Sequence, residues 1–272
     1  MKIICDVCPN FCRLEENQIG FCRARKNIGG ESVSINYGKI TSIALDPIEK
    51  KPLYRFLPNT YVLSVGSFGC NLRCPFCQNH SISMCGETAQ TVDIEKEDLI
   101  EKALQLNNCS GVAFTYNEPL IGWEYVRDTA KLCKEKNLAT VVVTNGYVNT
   151  NILEKVLPYI DAMNIDLKSF NPEFYKKIHG DLDSVKSTIE LASRHCHVEV
   201  TVLVVPNEND SQEEITALSK WLMAIDKDIP LHITRFFPRY KYSHLSPTPV
   251  RKIYEFVEIA KKYLNFVYAG NC

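Results

Sequence analysis

The chain has 272 residues, enough for one sizeable core and a small appendage. A formal net charge of -1 gives no overall pull toward nucleic acid or a membrane surface, and neither is expected as a partner. No apolar run is long enough to cross a bilayer, and Cys5 and Asp6 interrupt the only early apolar residues, so no secretory leader is expected.

The N-terminal residues open on Cys5-x2-Cys8-x3-Cys12-x9-Cys22. Four thiolates so close in sequence, with Pro9 and Gly20 shaping the turns, can close a tetrahedral site. Zinc or a second, fully ligated iron–sulfur cluster would both satisfy it, and an all-protein ligand set favours a structural or electron-transfer role. The neighbouring Arg23, Arg25 and Lys26 would offset the charge of such a site; with Lys50, Lys51 and Arg55 they form a local basic excess, read as a solvated face, with a docking surface for an acidic partner as the alternative. A Gly29-Gly30 turn and two short strands near Ser32–Asn36 and Ile40–Leu45 follow, and Pro47, Pro52 and Pro58 mark Asp46–Asn59 as an irregular connector. Residues 1–59 therefore read as a small cysteine-rich metal-binding module, and residues 60–272 as a second unit.

From about Thr60 strand and helix patterns alternate, as in βα units around a parallel sheet. Strands are predicted at Tyr61–Ser67, Gly111–Tyr116, Thr140–Thr144, Ala162–Lys168, His197–Pro206 and Leu231–Phe236, with a last apolar run at Phe266–Tyr268. Helices are predicted at Glu95–Leu106, Gly122–Lys136, Asn151–Tyr159, Val185–His195, Glu213–Ile225 and Val250–Tyr263. Asp93, Asn149 and Ser211 are the expected N-caps, and Pro249 suits a first helical turn. Six βα repeats are too few for a closed eight-stranded barrel, so the fold class expected is α/β, an open, partial (β/α)6 TIM-like barrel with a lateral mouth.

The chemistry concentrates at Cys70, Cys74 and Cys77, just after the first predicted barrel strand. The spacing C-x3-C-x2-C can hold three irons of a [4Fe–4S] cluster and leave the fourth without a protein ligand. An open iron is a place for chemistry, where a small molecule such as S-adenosylmethionine (SAM) could chelate. Three buried free cysteines in a turn are the bland alternative. Twelve cysteines in a secreted domain would suggest disulfides; their clustering argues instead for metal in a reducing cytoplasm, and an open cluster argues for anaerobic conditions.

Other candidates lie at the ends of later strands. Asn117 and Glu118 follow the second, and a carboxylate there can accept a charge-assisted hydrogen bond from an ammonium; a surface glutamate in a turn would look the same. Thr144 and Asn145 end the third and suit a ribose or carboxylate, with Gly146 permitting the tight turn. Alternation points Asp166 and Lys168 to one side of the fourth, as a cofactor-facing couple or a plain ion pair. The sixth carries His232 and Arg235; the arginine could grip a carboxylate bidentately, although their odd-numbered spacing puts them on opposite faces. His179, His195 and His197 read as solvated or packing residues, and Cys109, Cys133 and Cys196 as packing. Cys85, near the active face, and Cys272, ending the chain, stay open.

The run Gly69-Cys70-Asn71-Leu72-Arg73-Cys74-Pro75-Phe76-Cys77-Gln78-Asn79 resembles the defining motif of radical SAM enzymes, and the chain is similar to pyruvate formate-lyase activating enzymes. With Gly20-Phe21-Cys22-Arg23, the Asp46–Tyr54 run, Asn164–Lys168, Phe236-Phe237-Pro238 and Val267–Asn271, it resembles more narrowly the radical SAM component of the AmmeMemoRadiSam three-protein system. The resemblance implies that Phe76 lies against the adenine of SAM and that Glu118 takes the part usually played by a glycine-rich, acid-bearing loop. It further implies a flavodoxin- or ferredoxin-type reductant, protein partners from the same system, and reductive cleavage of SAM to a 5′-deoxyadenosyl radical that removes hydrogen from a metabolite or peptide. Activation of a glycyl-radical enzyme is the alternative, and a non-catalytic iron–sulfur sensor a third class.

Overall fold

The computed structural model describes residues 1–272. One sheet organises them: β1 (Ser42–Pro47), β2 (Tyr61–Gly66), β3 (Cys109–Phe114), β4 (Ala139–Thr144), β5 (Ala162–Asp166), β6 (His197–Val204), β7 (Leu231–Arg235) and β8 (Val267–Gly270). The strands lie in chain order, β2 to β8 all parallel and β1 antiparallel to β2. The six crossovers between parallel strands carry α1 (Lys96–Gln105), α2 (Trp123–Glu135), α3 (Thr150–Val156), α4 (Leu182–Ala192), α5 (Gln212–Ile225) and α6 (Val250–Ala260). Runs such as Val141-Val142 are buried because parallel strands are covered on both faces. Each helix turns a stripe inward; in α6 it is Ile253, Phe256, Val257 and Ala260.

The sheet does not close on itself: β1 and β8 are its edges. Both edges nevertheless reach one central cavity, Pro47 from β1 and Gly270 from β8, so the sheet curls into an open barrel. The α/β barrel expectation holds, enlarged at each end. The apolar run near Phe266 joins as β8, and the strand expected at Ile40–Leu45 shifts to Ser42–Pro47 and pairs with β2, so the sheet takes in residues from the N-terminal segment.

The floor of the barrel comes from the connector. Ile48 and Leu53 are fully buried and pack with Val62, Ala113, Val141 and Ala162 from four neighbouring strands. Asn164 Nδ2 donates to the Pro52 carbonyl at 2.8 Å, and the amides of Tyr54 and Arg55 donate to the carboxylate of Glu199 at 3.0 and 2.7 Å. Its prolines exclude regular structure but not burial, and polar groups on the strands satisfy the backbone that a missing strand would have paired.

The solvated basic face forms only in part: Lys50 and Arg55 are exposed, but two of its six residues are buried. Arg25 is buried with its guanidinium 2.6 Å from Glu124, and Lys51 is buried 2.8 Å from Asp46. Local chemistry moved helix ends too. Asp181 accepts from the Ser184 amide and starts α4 earlier than expected, whereas Asp93 pairs as a strand residue with Lys39 and Glu95 precedes α1. Ser211 caps α5 as expected; Asn149 precedes α3 but donates to the Asp6 carbonyl instead of capping. A short helix, Pro172–Lys177, capped by Asn171, was not expected.

Candidate active site

A cavity of about 600 Å³ occupies the open barrel. Cys70, Cys74 and Cys77 all line it, together with Phe76, Asn117, Glu118, Thr144, Asn145, Asp166, Lys168 and His232, and no other cysteine does. The three thiols share the loop after β2, whose path depends on the N-terminal segment. The Cys70 amide donates to the Cys22 carbonyl at 3.1 Å, and Arg73 stacks on the Phe21 ring. Gly69 makes this close approach possible: its φ is +88, and a Cβ there would lie 2.5 Å from the Cys22 carbonyl oxygen.

Glu118 is the hub of the polar wall. It is buried and accepts from the Thr144 hydroxyl at 2.7 Å, the Asn145 amide at 2.8 Å and the Leu120 amide at 2.9 Å. Burial pushes its carboxyl up to about 7 against the pull of those donors, and the charge of Asp166 adds to the rise. Asn145 extends the network, donating to Asn71 Oδ1 at 3.0 Å and lying 3.6 Å from Cys70 Sγ. Asn117 clamps the cysteine loop, donating to the Phe68 and Gly69 carbonyls and accepting from the Ser67 amide. Phe76 is buried with its ring stacked 6.1 Å from Phe174.

Asp166 and Lys168 meet each other, Nζ to Oδ2 at 2.7 Å, on the cavity wall. Burial opposes the charge on Lys168, and the neighbouring Asp166 and Cys74 outweigh it, so its ammonium is held well above the usual lysine value. Arg235 is not brought to the cavity. One step along the strand from Thr234, it points to the other face, donates to the Thr248 carbonyl at 2.7 Å and lies over the Phe237 ring.

Cys5, Cys8, Cys12 and Cys22 lie outside the cavity, behind the cysteine loop. Donors converge on them: the Ser32 hydroxyl on Cys5 at 3.2 Å, the Phe21 amide on Cys12 at 3.4 Å, the Asn10 amide on Cys8, and the Ala24 and Arg25 amides on Cys22. Burial raises Cys8 to about 12 and Cys22 to about 11. No group of three or more His, Cys, Asp or Glu side chains anywhere in the chain is gathered as closely as the ligands of a single metal ion. Cys85 lies 3.6 Å from the Thr88 hydroxyl, away from the cavity, and Cys272 is exposed.

Two features escaped the sequence. Lys51 and Tyr116 both bind Asp46, at 2.8 Å each, beside the cavity. Glu199, on β6, is fully buried and holds His197 at 3.0 Å and His232 at 2.6 Å, so His197 is neither merely solvated nor merely packed. A single carboxylate inside the β-branched run His197–Val202 was the available signal, because such a residue on an inward face must find donors.

An open α/β barrel with a three-cysteine loop at the carboxyl end of its first parallel strand defines the class. Residues 64–218, more than half of the chain, match the Radical SAM superfamily, and the chain belongs to it. An uncharacterized protein of Methanocaldococcus jannaschii is 39% identical over 279 residues, covering 99% of this chain and 81% of that protein. The pyruvate formate-lyase-activating enzyme of Clostridium pasteurianum is 31% identical over 159 residues, 56% of this chain and 65% of that enzyme, just under two thirds of its length. Among solved structures, Streptococcus suis SuiB bound to S-adenosylmethionine superposes with a TM-score of 0.59 at 15% identity, over 79% of this chain and 52% of that one, a likeness of fold. The chain is an enzyme of this superfamily, and no helix is long and apolar enough to cross a membrane.

Proposed function

We propose that Cys70, Cys74 and Cys77 hold a [4Fe–4S] cluster with one iron open to SAM, and that the enzyme uses SAM to remove hydrogen from a metabolite or peptide substrate. The single observation that carries this is the convergence of those three thiols, and no others, on a cavity whose polar wall is built around Glu118. The donor set fits the group: three sulfurs from one loop, with the Leu72 amide and Asn145 Nδ2 directed at Cys70. When bound, the cluster and SAM supply the one-electron chemistry that makes a 5′-deoxyadenosyl radical. The chain's own residues bind and orient. Glu118 receives the methionyl ammonium, Thr144 and Asn145 hold it in place, Phe76 offers an apolar face, and the Asp166–Lys168 couple presents both charges to SAM's polar groups. Asn117 supports the cysteine loop, and Arg235 supports the segment around Thr248 from outside the cavity.

Anaerobic reconstitution, addition of SAM and a chemical reductant, and mass spectrometry of 5′-deoxyadenosine test this directly; no cleavage under any condition would favour the sensor. The local identity to an activating enzyme supports a second reading, generation of a glycyl radical on a protein partner. Stimulation of cleavage by the macromolecular fraction of a native extract would favour that reading, and stimulation by the small-molecule fraction a metabolite. The Asp46–Tyr54 run supports membership of the AmmeMemoRadiSam group, with its partner proteins, a flavodoxin- or ferredoxin-type reductant and an anaerobic cytoplasm as the setting.

Glu118 must be ionised to receive an ammonium. Because its carboxyl sits near 7 in the free protein, SAM affinity is expected to tighten as pH rises through about 7, and Glu118→Gln to weaken binding and flatten that dependence. Equilibrium binding across pH checks it; an unchanged slope in the variant would remove Glu118 from the ammonium site.

We propose that Cys5, Cys8, Cys12 and Cys22, in the part of the N-terminal segment 1–59 that precedes β1, hold zinc or a second iron–sulfur cluster, while residues 42–59 build into the barrel. The hydrogen-bond donors aimed at all four sulfurs suit thiolates there, and burial keeps Cys8 and Cys22 protonated unless a cation replaces the proton. Cys8→Ser is expected to lower the metal content per chain and the melting temperature together. Unchanged values of both would show that the four cysteines form no site.

A further inference from the structure

The cavity extends past the residues assigned to SAM, and its far end is differently built. His232, Thr201, Thr234, Tyr54 and Asn271 line it there. Asp166, Thr201, His232 and Tyr268 stand in one row across β5, β6, β7 and β8. With strands about 4.8 Å apart, the backbone of His232 is roughly 10 Å from that of Asp166, two strands away. His232 lies near the start of β7, level in register with the last residue of β5.

The imidazole is fixed on three sides. Tyr54 and Tyr268 flank the ring at centroid distances of 4.8 and 5.2 Å. Its one protein hydrogen bond runs from Nε2 to Glu199 Oε2 at 2.6 Å, and a carboxylate can only accept, so Nε2 carries the proton. In the neutral ring Nδ1 then holds a lone pair. It has no protein partner, and it is not among the polar atoms sealed from solvent without one, which are Ser64 Oγ, His80 Nδ1, Trp123 Nε1, Thr129 Oγ1 and Thr140 Oγ1. Nδ1 is therefore not sealed, on a residue that lines the cavity. Glu199 is suited to hold this tautomer: burial alone would raise its carboxyl, and the donors from His197, His232, Tyr54 and Arg55 reverse that and bring it to about 2.

We propose that His232 is a substrate-facing base, taking a hydrogen bond and then the proton from an O–H or N–H group of a polar substrate seated against Tyr54, Thr201 and Thr234, with Glu199 as its positioning residue. The proton leaves the substrate heteroatom, the bonding pair stays on that atom, and the lone pair of Nδ1 makes the new N–H bond. The positive ring that results faces the Glu199 carboxylate. This rests on the proposed function for the location of SAM, and it moves His232 from the cofactor to the substrate.

Diethyl pyrocarbonate acylates an unprotonated imidazole nitrogen only where the reagent can reach it, and site-resolved mass spectrometry reads each histidine separately. With the cluster-reconstituted full chain, His232 is expected to be modified at the same rate with and without saturating SAM, each rate normalised to the exposed His244. Protection by SAM would make His232 a cofactor contact, and absence of modification in both states would show that Nδ1 is closed; either overturns the proposal. Glu199→Gln is expected to slow modification of His232 roughly tenfold, and Glu199→Asp to recover part of it. Unfolding would speed modification, so a slowed rate cannot arise from damage to the fold; a wild-type rate in a folded Glu199→Gln protein removes Glu199 from the role. If the same preparation fails to cleave SAM, the superfamily chemistry fails separately, and the arm without SAM still decides whether Nδ1 is open.

Discussion

Cys74→Ala is expected to reduce 5′-deoxyadenosine formation to the level of a control without protein, while the melting temperature changes little. The two readouts separate because the sulfur has two kinds of neighbour. Toward the protein it is one small buried group on a loop whose backbone is fixed elsewhere, by Cys70 to Cys22, Arg73 to Ile178 and Asn117 to Phe68 and Gly69. Removing it costs about 1 kcal/mol or less of packing. Toward the cavity it is one of only three thiols, and burial lifts it to about 12, so it stays protonated unless a cation replaces the proton. Cys133→Ala is the matching control. That cysteine is also fully buried, but within α2 and away from the cavity, and its loss should leave cleavage at the wild-type rate. Persistent 5′-deoxyadenosine from Cys74→Ala would end the cluster assignment; equal loss from both variants would mean that fold damage is being read.

Legibility in this chain followed sequence distance. The cysteine loop is legible because all three thiols lie within one short loop and their spacing is itself the geometry. Asp166 and Lys168 are legible because alternation along a strand decides their side, and their pairing at 2.7 Å follows from two opposite charges on one face. The same rule, applied at Arg235, puts it outside. Barrel strands are legible because burial on both faces leaves continuous apolar runs. The connector is not, because its prolines announce only that it is irregular. What buries it is Glu199 and Asn164, more than a hundred residues away in sequence. Arg25 failed for the same reason, because Glu124 lies 99 residues away; Lys51 failed although Asp46 is only five residues off, because an irregular connector gives no rule for which of its side chains turn inward.

Glu199→Gln is the second large effect, and it acts on stability. Each carboxylate oxygen serves two donors: Oε1 accepts from the Arg55 amide and His197, Oε2 from the Tyr54 amide and His232. Glutamine must turn an N–H₂ toward one of those pairs, leaving buried donors opposed to a donor. The carboxyl falls from 4.5 unfolded to about 2 folded, burial raising it and the four donors more than reversing the rise. At about 1.4 kcal/mol per pKa unit the ionised form contributes ~3 kcal/mol, or a melting temperature lower by roughly 5–10 °C in the variant. The folded protein holds fewer protons here than the unfolded chain between those two values. The contribution is therefore complete above about 4.5 and shrinks as pH falls toward about 2, where wild type and variant should converge. Denaturant titrations at neutral and acid pH would measure it. A difference that stayed constant down to the acid end would assign the loss to displaced packing of Ile48 and Leu53 rather than to the charge. A variant as stable as wild type would mean that the floor of the barrel is held by those apolar side chains alone, and that Glu199 is free to serve His232.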